Sequence, residues 1–178
     1  MTAQFVEAYR KALSFSGLEL DHELKYRNVR IHEKDHMHEL YTASNPRLPH
    51  LVLLHGYGGT SLTFIRTFQH LNSHFQVHAL DTFGVGLSSR GQWKDKMTME
   101  ETGRYYIEAV EEWRKSVGIE NFILAGHSFG GYISALYYER YRERVNQLIF
   151  LSPAGSGNIP EDMIRERQQR AKFFFCIA

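Results

Sequence analysis

The chain has 178 residues, 43% of them hydrophobic and 23% charged, with a formal net charge of +1. Those values fit one globular domain with a sizeable core and exclude a bulk electrostatic drive toward nucleic acid or anionic lipid. A single cysteine, Cys176, excludes an internal disulfide and fits a reducing compartment. No apolar run approaches the roughly 18 residues that read as a membrane span, and the N-terminus lacks a secretory h-region.

In chain order, Phe5, Tyr9, Ala12 and Leu13 form one face of a short helix beside Arg10 and Lys11, which packs on its own domain or serves as an interfacial anchor. Lys25 to Ile31 and Met37 to Ala43 read as two strands joined by a polar turn, an antiparallel edge. Asn45-Pro46 breaks the chain before Leu51-Val52-Leu53-Leu54, an apolar run suited to a central strand. A helix is predicted from Ser61 to Asn72, with Leu62, Ile65, Phe68 and Leu71 at helical spacing, then a strand from Phe75 to Leu80. Thr98 and Glu101 form a capping box for a long helix ending near Gly118. Strands follow at Phe122 to Ala125 and Val145 to Leu151, separated by a helix from Tyr132 to Tyr141. Strands alternating with helices imply right-handed crossovers and a mostly parallel sheet, hence an α/β fold. We divide the chain into an N-terminal helical segment (1–24), the N-terminal part of an α/β domain (25–158) and the start of a further helix (159–178). That last helix opens at Pro160 and runs into the apolar Phe173-Phe174-Phe175-Cys176-Ile177, which reads as a truncated end.

Residues 126 to 131, Gly-His-Ser-Phe-Gly-Gly, lie between a predicted strand and a predicted helix. Gly126 and Gly130 flank Ser128 two residues away on each side, the spacing of a sharp turn that holds a serine hydroxyl above a sheet edge. The helix start also aims backbone N–H groups at an oxyanion. Ser128 is therefore the candidate nucleophile. His55-Gly56-Tyr57-Gly58-Gly59 follows the first central strand, and its glycines let backbone approach substrate. The N–H groups of Tyr57 and Phe129 are the expected oxyanion donors. Asp81 precedes the serine, whereas triad order in such a fold runs Ser, acid, His; it is assigned to the amides of its own glycine turn.

These motifs resemble the alpha/beta-hydrolase family from about Leu51 to Gly155. Three segments, Phe83 to Arg90, Ile107 to Arg114 and Arg144 to Gly155, are similar to one lipid-metabolising branch. That branch includes the adipose triglyceride lipase coactivator and N-acyl-phosphatidylethanolamine lipase. The resemblance implies a serine esterase or acyltransferase acting on phospholipid or lysophospholipid acyl esters, with acyl-CoA as a donor in some members. It implies no metal and no cofactor, and a cytoplasmic protein that visits lipid droplets or organelle membranes. In this branch the catalytic acid and histidine follow the lid, and a His-x4-Asp motif lies near the C-terminus. Neither occurs here, since the last histidine is His127. His127 adjoins the nucleophile with its ring expected to point away, so Ser128 has no base and the chain as written is expected to be inactive. A non-catalytic lipid-binding or lipase-regulating module is the alternative.

Two motifs are set aside. His32-Glu33-Lys34-Asp35-His36 matches H-E-x-x-H, but a metalloprotease needs it on a helix. Here it falls on a hairpin, with His38 and Glu39 continuing a polar turn, which leaves adventitious metal binding by His32, His36 and His38. Gly56 to Ser61 imitates a dinucleotide fingerprint whose third glycine is replaced by Ser61.

Overall fold

The computed structural model describes residues 3–155 apart from 33, 44 and 92–95. The expected helix from Pro160 and the apolar end lie outside the described residues, as does Glu33 of the H-E-x-x-H string. The N-terminal helix α1 (Ala3–Leu13) leads to β1 (Leu24–Arg30) and β2 (His36–Thr42), followed by β3 (His50–Leu54). A 3-10 stretch (Ser61–Thr67) and the short α2 (Phe68–Leu71) precede β4 (Gln76–Leu80). The long α3 (Met99–Val117), β5 (Phe122–His127), α4 (Phe129–Arg140) and β6 (Val145–Leu151) complete the order.

The six strands form one sheet in the order β1-β2-β4-β3-β5-β6. β1 and β2 are antiparallel to their neighbours, while β4, β3, β5 and β6 are mutually parallel. The expected mostly parallel α/β sheet with an antiparallel N-terminal edge is the observed one. Alternation along β3 divides the core. Val52 and Leu54 join Trp113 and Tyr137 under α3 and α4, and Leu51 and Leu53 join Leu13, Phe64 and Phe68 under α1 and the 3-10 stretch. Helices on both faces explain why β3 reads as unbroken apolar sequence.

Two expectations are corrected. The helix predicted from Ser61 to Asn72 is mostly 3-10, with only Phe68–Leu71 α-helical. Thr63, Ile65 and Thr67 are β-branched and poor helix formers. The Thr67 hydroxyl donates to Phe64 O at 2.7 Å, and the tighter winding turns Phe64 inward with Phe68. His38 and Glu39 do not continue a polar turn: they lie in β2, 2% and 0% exposed. β2 is flanked by β1 and β4, so its charged side chain is enclosed and must be paired within the protein.

Candidate active site

The C-terminal ends of β3 and β5 meet at the point where strand order reverses, the position at which open α/β sheets form a ligand crevice. Leu54 and Gly126 are register partners across this junction. β5 extends to His127, two residues beyond its predicted end, because β6 pairs with it through Leu151.

Ser128 caps α4 with φ 53° and ψ −114°, a conformation outside the ordinary wells of an L-residue and a local store of strain. Backbone bonds hold it there. Its N–H donates to Leu151 O at 3.1 Å, and its carbonyl accepts from Gly131 N at 3.0 Å and from Ala154 N at 2.8 Å. The turn is tight enough to require glycine on both sides. A Cβ at Gly126 would sit 2.3 Å from Gly130 O, and one at Gly130 would sit 2.2 Å from Leu54 O and 2.6 Å from His55 O. The glycine spacing seen in the sequence is thus a packing requirement between β5, α4 and the end of β3.

The loop after β3 faces this turn. Gly59 N donates to Gly56 O at 3.0 Å, and Gly58 has φ 71°, which projects Tyr57 outward at 90% exposure. Among the described residues, neither the Tyr57 nor the Phe129 N–H donates to a protein acceptor. A Cβ placed on Gly56 would lie 3.1 Å from Ser128 Cβ and 3.0 Å from His127 Nδ1. The His127 ring and Ser128 Cβ thus abut the same glycine.

His55 is buried and its hydrogen bonds define its role. Thr82 N–H donates to Nε2 at 3.0 Å, so Nε2 is an acceptor and the proton resides on Nδ1, which donates to Gly56 O at 2.8 Å. Burial pushes its pKa down, against weaker upward effects from Gly56 and Asp81. A neutral ring with both nitrogens engaged ties the loop after β3 to the end of β4 and is unavailable as a base. Asp81 does a related task. Oδ2 accepts from Leu87 N at 2.8 Å, within its own glycine turn as expected, and Oδ1 accepts from Ser61 N at 2.7 Å in the other loop. Sequence order gave no sign of this second bond.

Aromatic rings line one flank. Phe83 and Tyr105 have centroids 4.8 Å apart, Tyr105 and Tyr106 5.3 Å, Tyr106 and Phe129 5.3 Å, and Phe129 and Tyr132 6.1 Å. The Tyr106 hydroxyl is pushed up by burial and then by neighbouring Tyr57.

His36 and His38, near the H-E-x-x-H string, have other partners. His36 bonds Leu87 O and Ser89 Oγ, and His38 bonds Asn28 Oδ1 and the Tyr9 hydroxyl. No helix among the described residues is long and apolar enough to cross a membrane.

The family model described as alpha/beta hydrolase fold matches residues 49–175. A probable 1-acylglycerol-3-phosphate O-acyltransferase of Oryza sativa subsp. japonica is 47% identical over 112 residues, covering 63% of this chain and 27% of the relative. The human 1-acylglycerol-3-phosphate O-acyltransferase ABHD5 is 39% identical over 111 residues, covering 62% of this chain and 31% of the relative. The chain therefore spans about a quarter to a third of the length of these curated relatives. Among solved structures, a bacterial membrane phospholipase A superposes with a TM-score of 0.74 at 26% identity, covering 92% of this chain and 51% of that one. The Bacillus subtilis carboxylesterase CesB superposes with a TM-score of 0.73 at 24% identity, covering 91% and 53%, a likeness of fold.

Proposed function

The chain belongs to the alpha/beta hydrolase fold family, and from that premise we propose that Ser128 is the nucleophile of an acyl-transfer or hydrolysis reaction on lipid acyl esters. The observation that carries this reading is the strained serine at φ 53° beside two backbone donors that have no acceptor among the described residues. Ser128 Oγ attacks the ester carbonyl while a base takes its proton. The N–H groups of Tyr57 and Phe129 receive the developing oxyanion, each contributing on the order of 3 kcal/mol to the transition state. Collapse expels the alcohol, or the thiol of an acyl-CoA donor, and leaves the acyl group on Ser128. Water or a lysophospholipid hydroxyl then takes it. The base is a group other than His55, whose ring nitrogens are both occupied.

The acyltransferase names of the relatives support a lysophospholipid acceptor, and the likeness to a phospholipase A supports an ester donor. In this reading residues 25–158 are the N-terminal part of the hydrolase domain and residues 1–24 a helical segment packed on it, and the expected lid segment 159–178 lies outside the described residues. The protein works in the cytoplasm and at lipid-droplet or organelle surfaces.

The test is transfer of a labelled acyl group from acyl-CoA to lysophosphatidic acid, and hydrolysis of the corresponding ester, by the full-length protein and its Ser128→Ala variant. Loss of both in the variant supports the nucleophile. A lipid-binding or lipase-regulating role is favoured by the engaged His55. That role predicts that Ser128→Ala leaves function intact.

A further inference from the structure

Four polar side chains cross one face of the sheet as a diagonal row, one from each of four neighbouring strands: Arg27 of β1, Glu39 of β2, His78 of β4 and His50 of β3. Strand register places them together. Arg27 lies opposite Glu39, while Tyr41 and Val52 flank His78 as its two cross-strand partners. Glu39 and His50 are each two residues from those partners, so strand alternation puts all four on the same face. That is the α3 face, where the Trp113 ring lies 5.6 Å from the His78 ring. His50 opens β3, whereas Ser128 follows the opposite, C-terminal end of the parallel strands.

Hydrogen bonding fixes what each ring offers. Glu39 Oε2 accepts from Arg27 Nε at 2.7 Å, and Oε1 faces His78 Nδ1 at 2.5 Å. A carboxylate only accepts, so His78 carries its proton on Nδ1. His78 Nε2 then meets His50 Nδ1 at 3.0 Å, and one proton is shared between the two nitrogens. Without that proton, two imidazole lone pairs converge on one point. A histidine that donates its other N–H to a carboxylate is oriented and made more basic, the outer support that metal-binding imidazoles use.

We propose that His78 Nε2 and His50 Nδ1 form a site for a divalent ion of the zinc class, with Glu39 as the outer partner of His78 and water in the remaining positions. The ion replaces the shared proton, which leaves to solvent, and so needs no spare hydrogen-bonding capacity. Two imidazole nitrogens on a tetrahedral zinc stand about 3.3 Å apart, so the pair has to open by only a few tenths of an ångström. His78 is 5% exposed and held by Glu39, whereas His50 is half-buried at the start of its strand; His50 is the ring that turns. No group of three or more His, Cys, Asp or Glu among the described residues could hold a metal. The site is therefore an open pair rather than a closed structural centre, and imidazole donors select zinc, copper or nickel over magnesium or calcium. The site is independent of the role of Ser128.

Trp113 is a built-in reporter. The experiment titrates Cu²⁺ into the 178-residue chain carrying Trp93→Phe, which leaves Trp113 as its single tryptophan. Copper quenches a nearby indole and zinc does not, so Zn²⁺ serves as the competitor. Saturable one-to-one quenching that Zn²⁺ reverses is the expected result. His50→Gln should weaken binding at least about tenfold, and Glu39→Gln, which removes neither ligand, about 10–100-fold. Melting temperatures show that each variant is folded, and His50→Gln decides alone if Glu39→Gln is not. His32→Gln and His70→Gln, both at exposed positions, should leave the titration unchanged. Absence of saturable quenching, quenching that persists in His50→Gln, or quenching lost in His32→Gln or His70→Gln overturns the site. Unchanged affinity in a folded Glu39→Gln overturns the outer role of the carboxylate.

Discussion

Two parts of the sheet bring a carboxylate, imidazoles or a hydroxyl together, and they differ in how completely those groups are satisfied. On β2 and β4, the Glu39 carboxylate is 0% exposed and takes His78 Nδ1 at 2.5 Å and Arg27 Nε at 2.7 Å. His78 Nε2 in turn meets His50 Nδ1 at 3.0 Å. That chain has the look of a catalytic relay, yet each link ends on another protein group. At the end of β5, by contrast, Ser128 is held at a costly φ and the adjoining Tyr57 and Phe129 N–H groups meet no acceptor among the described residues. The first arrangement stabilises a buried charge, and the second leaves binding capacity for a ligand. Acid and imidazole proximity alone does not identify a reactive centre; unspent hydrogen-bonding capacity and strain are the better guide.

The largest test of this contrast is Ser128→Ala, which should lower acyl turnover of the full-length protein by roughly 10⁶-fold with little change in melting temperature. Glu39→Gln should do the reverse, costing about 3–5 kcal/mol in chemical denaturation by leaving buried partners without their anion. Its rate constant per folded molecule should be unchanged, and a large fall in that constant would make the β2–β4 cluster part of the chemistry. Ser128→Gly should stabilise the fold by about 1 kcal/mol, because glycine accepts φ 53° without strain. A destabilised Ser128→Gly would show that the elbow is not strained.

The smallest effects concern pH. Burial lowers the pKa of His55, and it does the same for His38 and His50 against opposing carboxylate effects. Folded pKa values below the unfolded one mean that stability is present above about pH 6.5 and declines as pH falls through the folded values. Glu39 adds a second window. Burial alone would raise its pKa, but His78 and Arg27 overcome this and hold the carboxyl below its usual range. Its contribution is present above about pH 4.3 and lost as pH falls through its folded pKa. Melting temperature against pH should thus fall in two stages, and Glu39→Gln should diminish only the lower one.

The elbow was legible because its signal is local. Two glycines around a serine, a β-compatible run before and a helix after all lie within one short stretch, and the close approach of Gly126 to Gly130 O follows from that stretch alone. His55 stood out as part of a glycine loop, but its tautomer and bonds depend on Thr82, 27 residues away. The stretch after Thr60 misled the periodicity because its apolar spacing suits 3.6 residues per turn while its β-branched residues favour a tighter winding.

The order of strands and helices and the capping box at Thr98 were set by neighbours in sequence, through propensity and side-chain periodicity, and the serine turn was marked there by its glycines but is held by Leu151 and Ala154. Which polar groups became buried was decided by the tertiary structure. Glu39 and His78 are 39 residues apart, and only the insertion of β4 between β2 and β3 brings them together. Local sequence shows a glutamate beside the polar His36–His38 stretch and, far from it, a histidine between Val77 and Ala79. Strand neighbours and helices on both faces remove their water, and desolvation then makes their mutual pairing obligatory.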